Sequence, residues 1–298
     1  MTAAWPRSLF CPRVSLRPQS VDTDSVHYQH QFHAGNFADV FKHVVLLAVV
    51  DALNRKPGPW CYFDTHAGAG DYDLRSDAAQ RTDEAASGVA RLWTRPADTP
   101  LLQRYLDLLH QYNPDGSLRH YPGSPRWVAE CARADDRLVL CERQPAIATV
   151  LRQNFRGDRR VAVHQRDGYE APGLLPPREK RGMVLIDPPF ERPDEFRAVS
   201  ELLRQAAARF AHGVYLVWYP LKNRHAAERL PRAAATLGRE GLDLHFDTGA
   251  PAQGQMHACG MLLLNPPFGL KEALAPTLDA LRVVLAQGPG AAWTAESF

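Results

Sequence analysis

The sequence is poor in several features that would each assign it to a class of protein. Cysteine is scarce, with five residues at positions 11, 61, 131, 141 and 259. The number is odd and no pair is spaced as C-x-x-C, so neither a disulfide framework nor a zinc ribbon is supported. No apolar run approaches the roughly 18 residues of a membrane helix. We therefore expect a reducing, cytoplasmic setting and no membrane partner.

An excess of charge of one sign is also lacking. The formal net charge is +2, so global charge does not point to a nucleic acid. Lysine is rare, because 30 of the 35 basic residues are arginine. Arginine binds phosphate as a planar fork and stacks on bases, but biased codon usage would produce the same excess.

Residues 1–26 lack a helical or an alternating apolar pattern. They are rich in Arg and Ser, with no acidic residue before Asp22, which is the composition of an organelle transit peptide. The apolar core of a secretory signal is missing. We expect a disordered N-terminal extension. A natural start at Val26 is a further hypothesis, which the intact mass of natively expressed protein would test.

Residues 27–298 read as one α/β domain. Asn36, followed by Asp39, predicts the capped start of a long helix. Strand and helix patterns then alternate, which indicates a mostly parallel sheet of seven strands covered on both faces. The last two strands are too close for a crossover helix, so the last strand should be antiparallel. Residues 71–122 interrupt the alternation with two helix patterns and no strand, and we interpret them as a helical insertion subdomain.

The ends of the predicted strands carry residues typical of a nucleoside site, because ligands of open parallel sheets bind beyond the carboxyl ends of the strands. The acidic residues at these ends are Asp64, Glu142, Asp167 and Asp187. The stretch D-T-H-A-G-A-G at 64–70 puts Gly68 at a tight turn close to a ligand. Glu142 is suited to accept hydrogen bonds from two ribose hydroxyls.

Two other residues narrow the type of ligand. Asp167 is suited to accept from an adenine amino group, and Ser124 reads as a helix N-cap before Pro125 that faces the same crevice. A dinucleotide fingerprint would need a third glycine where this sequence has Asp73. The pattern therefore favours S-adenosylmethionine over NAD.

The stretch M-V-L-I-D-P-P-F at 183–190 ends an apolar strand on an acid, two prolines and an aromatic. An exocyclic amine of a base is a weak nucleophile and needs acceptors that orient its hydrogens. Asp187 and the carbonyl of Pro188, held by the next proline, would supply two acceptors. Phe190 would stack on an extruded base. We predict these three residues to be catalytic; the alternative is that the prolines only end a buried strand.

A near copy, M-L-L-L-N-P-P-F, occurs at 261–268. By its letters it is an equally good motif. Its strand is the one expected to be antiparallel, so its carboxyl end should lie at the opposite edge of the sheet. We therefore predict that Asn265 is not catalytic.

With these stretches in view, the sequence resembles a bacterial family, the 23S ribosomal RNA (adenine-2030-N6) methyltransferases, RlmJ. The resemblance covers residues 27–298. The stretches that carry it are YQHQFHAGNFADVFKH, DTHAGAGDY, YPGSP, LCERQP, RDGY, GMVLIDPPF, WYP and NPPF. It implies a class I, Rossmann-like methyltransferase fold, S-adenosylmethionine as cofactor, and 23S rRNA, protein-free or partly assembled, as partner.

The resemblance also implies roles for individual residues. The cofactor contacts would be His43, His66, Ser124, Glu142, Asp167, Gly168 and Asp187. Lys42, beside His43, would contact the target nucleotide. The family has Tyr after the two prolines where this sequence has Phe190, so stacking is kept but a hydroxyl hydrogen bond is lost.

Other polar residues carry weaker expectations. His30, His33, Asp39 and His43 invite a metal interpretation, but the helix should separate them, and we expect no metal. The basic cluster within 152–181 should mostly precede strands and face away from the site. Basic residues expected at the active edge are Lys42, Arg192, Lys222 and Arg224, with Arg75, Arg81, Arg91 and Arg95 on the insertion.

Two alternatives to an rRNA adenine-N6 methyltransferase remain open at this point. One is a DNA adenine methyltransferase, since charge does not separate RNA from DNA. The other is a catalytically silent RNA-binding module that has kept the fold. A monomer is the default expectation, because no feature of the sequence reports on oligomeric state.

Overall fold

The computed structural model describes residues 30–251 and 256–298. The predicted extension at 1–26 and the hypothetical start at Val26 lie outside these residues. The strands are β1 Cys61–Asp64, β2 Asp71–Asp73, β3 His120–Pro122, β4 Arg137–Glu142, β5 Val161–Gln165, β6 Gly182–Ile186, β7 Val214–Pro220, β8 Gly241–Asp247, β9 Ala258–Leu264 and β10 Ala292–Ser297.

The helices surround this sheet in chain order. They are α1 Phe37–Asn54, α2 Asp77–Thr82, α3 Glu84–Ser87, α4 Ala90–Trp93, α5 Pro100–Tyr112, α6 Ser124–Cys131, α7 Pro145–Asn154, α8 Glu195–Arg209, α9 Arg224–Ala227, α10 Arg229–Ala235 and α11 Leu270–Leu285. Two 3₁₀ turns, His30–Phe32 and Gly168–Leu174, complete the described elements.

The main sheet has the strand order β10-β8-β9-β7-β6-β1-β4-β5. Strands β1, β4, β5, β6 and β7 are parallel, and β9 is antiparallel to both β7 and β8. The predictions of a mostly parallel α/β sheet and of an antiparallel strand before NPPF are therefore confirmed. Since β8 then runs in the same direction as β7, the reversed strands are β9 and β10.

The prediction of seven strands was wrong by one. Strand β10 pairs antiparallel with β8 at the edge of the sheet, with Trp293 opposite Phe246. Its residues are mostly exposed, and the stretch A-W-T-A-E-S has no apolar run. A strand held by one neighbour at an edge needs little burial, so its sequence carries a weak strand signal.

Apolar residues fill both faces of the sheet. One core lies between the sheet and helices α1, α5, α6, α7 and α11, with Phe41, Trp60 and Leu263 among its members. The other lies under α8, α10 and the turn Gly168–Leu174. Helices on both faces explain why the residues of β6 and β9 are buried throughout.

Helix α1 lies at the centre of the core that also contains α5, α6, α7 and α11. The Asn36 side chain accepts from the backbone N–H of Asp39 (2.9 Å), as the sequence predicted, and Asp39 accepts from the N–H of Gly35 (2.9 Å). The helix packs against α5, α6, α11 and the sheet. Every residue from 37 to 50 is buried, and this is why its polar residues reach protein partners instead of solvent.

Residues 71–122 contain the expected helices with two corrections. The segment 82–93, predicted as one helix, is divided into α3 and α4 at Gly88 and Val89. The unpredicted helix α2 precedes it and ends at Asp83, which adopts a left-handed φ of 50°. Strands β2 and β3 form a small antiparallel sheet at the two ends of the segment, where the sequence analysis expected no strand. Three-residue strands are too short to show an alternating pattern.

The alternating pattern also predicts a single helix at 223–238, and in the structure this helix is shorter and broken. It consists of α9 and α10, and it ends before Gly238, whose φ is 62°. Pro231 falls in the first turn of α10, where its missing N–H breaks no helical hydrogen bond.

Candidate active site

Four adjacent strands bring the predicted acidic residues to one edge of the sheet. Strands β6, β1, β4 and β5 are neighbours and parallel, so their carboxyl ends lie side by side. Asp64 and Glu142 are the last residues of β1 and β4, Asp187 directly follows β6, and Asp167 follows β5 by two residues. The pairing register sets Asp64 beside Leu140 and Leu185.

Glu142 closes the glycine turn against the next strand. Its Oε2 accepts from the backbone N–H of Gly68 (3.1 Å), and its Oε1 accepts from the N–H of Gln144 (2.7 Å). Gly68 has a φ of 61°, and a side chain there would meet the Tyr72 hydroxyl. Burial raises the pKa of Glu142. Each carboxylate oxygen keeps a further lone pair, so the fixed carboxylate can still accept from a ligand.

Asp64 lies beneath the turn in a closed hydrogen-bond network. Its Oδ2 accepts from the hydroxyls of Tyr62 and Ser124, each at 2.6 Å, and its Oδ1 accepts from the N–H of His66 (3.2 Å). The predicted N-cap role of Ser124 was wrong: Gly123 occupies the N-cap position of α6. Because Asp64 lies within reach, the Ser124 hydroxyl bonds to that carboxylate instead. Burial raises the pKa of Asp64 to about 6.

His66 and Gly168 are packed together at the next part of the edge. A side chain at Gly168 would collide with the carbonyl oxygen of Thr65 and with the His66 ring. The His66 Nδ1 bonds to the Thr65 hydroxyl (2.8 Å), and burial lowers its pKa to about 4. His66 is therefore neutral at pH 7. Asp167 accepts from the N–H of Tyr169 (3.1 Å) and remains partly exposed.

His43 is buried in helix α1. Its Nδ1 bonds to the Tyr121 hydroxyl (2.8 Å), and its ring packs against that of Trp127. Burial lowers the pKa of His43 well below the usual range, so the ring is neutral. Its Nε2 is buried, and within residues 30–251 and 256–298 it has no hydrogen-bond partner. A buried nitrogen without a hydrogen-bond partner in the protein is available to bond to a ligand.

Asp187 forms an ion pair that no sequence spacing indicates. The Lys42 Nζ lies 2.6 Å from Asp187 Oδ2 and 2.9 Å from Asp39 Oδ1. Burial opposes the charge, yet the two carboxylates raise the pKa of Lys42 well above its ordinary value. The other Asp39 oxygen bonds to His30 Nε2 (3.0 Å). Lys42 is thus 5% exposed and oriented by two acids, where the sequence analysis expected a direct contact with RNA; that role remains a prediction.

Phe190 stands at the rim of this site. It is half-buried and adopts a left-handed φ of 53°, which is uncommon for an aromatic residue. Its ring centroid lies 4.9 Å from that of Phe196 and 5.9 Å from that of Trp218, with the Trp218 ring tilted by 70°. Pro188 is buried, while Pro189 is exposed. The strained backbone turns the Phe190 ring toward the wall formed by these two aromatics.

Asn265 lies at the opposite edge of the sheet, as strand direction predicted. It follows the reversed strand β9, and its side-chain amide donates to the carbonyl oxygens of Gly213 (2.8 Å) and Ala211 (3.1 Å). These carbonyls precede β7, at the amino ends of the parallel strands. Asn265 is therefore a structural residue of that edge.

The remaining histidines and basic residues are distributed among several partners. His33 pairs with Glu84 (2.8 Å), so the histidines of the metal interpretation have separate partners. In the described part of the chain, no group of three or more His, Cys, Asp or Glu residues is arranged to hold a metal. Arg91 donates to Ala286 (2.6 Å) at the end of α11. Arg192 pairs with Asp194 and lies over the Tyr169 ring.

Sequence reasoning missed Asp39, Tyr121 and Trp218 as members of this site. Asp39 and Lys42 are spaced i, i+3 on a helix, which is a signal that could have been used. Tyr121 and Trp218 belong to stretches already noted, Y-P-G-S-P and W-Y-P, but their contacts join residues far apart in sequence. No helix of the described residues has the length and apolar character needed to cross a membrane.

Comparison with known proteins agrees with this geometry. A crystal structure of a protein from Legionella pneumophila strain Philadelphia 1 superposes with a TM-score of 0.83 at 32% identity, over 89% of this chain and 98% of that one. The fold and the acidic edge define a class I, Rossmann-like methyltransferase.

The sequence comparisons name the family. The model described as "Ribosomal RNA large subunit methyltransferase D, RlmJ" matches residues 57–296. Ribosomal RNA large subunit methyltransferase J of Haemophilus influenzae is 37% identical over 90% of this chain and 97% of its own length. The protein of that name from Escherichia coli K12 is 38% identical, over 85% and 92%. The chain belongs to the RlmJ family, so the predicted family and enzyme class are confirmed.

Proposed function

We propose that this protein transfers a methyl group from S-adenosylmethionine to N6 of one adenine in 23S rRNA. The observation that carries the proposal is the position of the Asp187 carboxylate, at the same edge as the glycine turn and Glu142. The relatives named as rRNA large subunit methyltransferases support an rRNA substrate. The amine specificity is supported by the D-P-P-F stretch.

The residues at this edge fit a nucleoside cofactor with an amino-acid tail. Glu142 would accept from the ribose hydroxyls, Asp167 and Gly168 would border the base, and the unfilled Nε2 of His43 would find its partner. His66, Gly68, Ser124 and Asp187 line the same edge. When bound there, S-adenosylmethionine supplies an electrophilic methyl group on a sulfonium.

Asp187 and Pro188 would orient the target amine. Lys42 engages only Oδ2 of Asp187, and among the described residues no donor occupies Oδ1. Oδ1 and the Pro188 carbonyl would accept the two amine hydrogens and direct the nitrogen lone pair toward the methyl group. Lys42, itself fixed by Asp39, would hold Asp187 in one orientation. The rate enhancement would come mainly from orientation.

Phe190 would stack on the adenine once it leaves the helix, since a base within a stack cannot reach the edge of the sheet. An extruded base is easier to reach in protein-free or partly assembled rRNA than in a ribosome. We therefore propose naked or partly assembled 23S rRNA as substrate. We also propose that the enzyme is a monomer and acts in the cytoplasm.

The test is methylation in vitro of rRNA from cells that lack the gene, with methyl-labelled S-adenosylmethionine and nucleoside mass spectrometry. We expect one N6-methyladenosine per 23S rRNA, and about a hundredth of that amount or less in the same time with Asp187→Ala. Duplex DNA added as competitor should not be labelled. Labelling of DNA in preference to rRNA, or the same yield from Asp187→Ala, would contradict the proposal.

A further inference from the structure

Trp218 lies beside the catalytic stretch without a role in the reaction as proposed so far. Strands β6 and β7 are paired with Ile186 opposite Val217. Asp187 and Trp218 are therefore the next residues along two adjacent parallel strands. Trp218 is only partly buried and packs against the core that contains α1.

Two groups of the active site surround the Trp218 ring. The Lys42 Nζ lies over the indole, 5.9 Å from the ring centroid, and this same nitrogen is 2.6 Å from Asp187. The Phe190 ring is 5.9 Å away from it and inclined by 70°. Trp218 thus joins the residue that would orient the amine to the residue that would stack on the base.

The exposed part of the Trp218 side chain is carbon. Its Nε1 is fully buried, so a ligand at this edge would meet the ring carbons and not the N–H donor. An aromatic carbon surface binds a flat base through stacking or edge-to-face contact, without regard to its hydrogen-bond pattern. This chemistry suits a heterocycle whose amine is already held by other groups.

We propose that Trp218 is a second base-contacting residue, which forms with Phe190 a two-walled slot for the target adenine. This inference rests on the proposed function. The two rings are steeply inclined, so Phe190 would cover the face of the base while Trp218 bounds its edge. A base stacked on one ring is free to slide in the plane of that ring. Contact from two directions would restrict the base and hold its amine within reach of Asp187.

The test compares Trp218→Leu and Trp218→Phe with Trp293→Leu as a matched control. Trp293 is also a half-buried tryptophan on a strand, but it lies on the edge strand β10 and donates to Asp279. Because contact with an aromatic ring stabilises a bound base, Trp218→Leu should raise the KM for rRNA about tenfold. The calorimetric affinity for S-adenosylmethionine should stay unchanged, Trp218→Phe should recover most of the loss, and Trp293→Leu should behave as wild type.

A second readout separates base contact from support of the fold. An rRNA fragment with 2-aminopurine at the methylated position should be brighter when bound to Trp218→Leu than to wild type, because an adjacent indole quenches that base. Equal brightness, or losses of rRNA and S-adenosylmethionine affinity by the same factor, would overturn the inference. If wild-type protein methylates no rRNA, the proposed function itself fails; if only Trp218→Leu is indistinguishable from wild type, the proposed function stands and the slot does not.

Discussion

The protein contains two copies of one motif, D-P-P-F at 187–190 and N-P-P-F at 265–268, at opposite edges of its sheet. In the first, the leading side chain is ion-paired with Lys42, at the same edge as Asp64 and Glu142. In the second, the leading side chain ties down the backbone of residues 211 and 213. Both follow buried apolar strands. The direction of the strand, and not the letters, decides which copy stands at the ligand edge.

The two copies also differ in backbone shape. A left-handed φ of 53° occurs at the last residue of the first motif, Phe190, and at the first residue of the second, Asn265. Phe190 is folded back against Phe196 and Trp218, while Phe268 is completely exposed. Two prolines therefore fix a rigid corner but leave its use to the residues on either side.

The largest contrast is expected from removing the leading side chain of each copy. Asp187→Ala should reduce kcat about 10²–10³-fold, as the loss of one preorganised polar group does in other enzymes. Asn265→Ala should leave kcat unchanged. Steady-state kinetics with rRNA measure both, and a comparable loss in the two variants would end the distinction between the edges.

The aromatic residues of the two copies give the next contrast. Phe190→Ala should raise the KM for rRNA about 10- to 100-fold, because a stacked base is stabilised by about 1–3 kcal/mol. Phe268→Ala should have no effect on it, since the Phe268 side chain touches little of the protein. Steady-state kinetics of both variants over a range of rRNA concentrations check this, and a clear rise in KM with Phe268→Ala would assign RNA contact to the wrong edge.

A third contrast concerns stability against pH. Burial raises the pKa of Asp64 to about 6 from the usual 3.8. Folded protein therefore holds this proton more tightly than the unfolded chain, and the free energy of unfolding should fall as pH rises from about 4 to about 6. The expected size is about 1–3 kcal/mol for a shift of this order. Asp64→Asn should lose that dependence.

Urea titrations at pH 4.5 and 6.5 measure how the free energy of unfolding of wild type and of Asp64→Asn changes with pH. Asn265→Ala serves as the control, because it removes a side chain that does not titrate at the opposite edge, and its pH dependence should match that of wild type. An unchanged pH dependence in Asp64→Asn would show that the buried carboxyl does not titrate in this range.

The smallest effect is expected on stability at the second copy. Asn265→Ala removes the donors of two carbonyl oxygens, which should lower the free energy of unfolding by about 1–2 kcal/mol. Phe268→Ala should not change it. Equilibrium denaturation measures both. An unchanged free energy of unfolding in Asn265→Ala would mean that water takes over as donor to the two carbonyl oxygens.

Much of the site could be predicted from the sequence because acids at the ends of apolar strands share one edge in a parallel sheet. That reasoning reached Asp64, Glu142, Asp167 and Asp187, and it separated Asp187 from Asn265. It did not reach the partner of Ser124, since a hydroxyl at a helix start has two possible acceptors. It also missed β2, β3 and β10, whose lengths and exposure leave little pattern.

The sequence by itself determined the alternation of the central strands and helices, the reversal of β9 and hence the edge at which each proline motif lies, because period, loop length and handedness follow from local rules. Only the tertiary structure decided which side chains surround Asp187. Lys42 precedes it by 145 residues, and Phe190 and Trp218 meet across two strands. Such pairs depend on how a buried helix and adjacent strands pack, and packing is set by the whole chain at once.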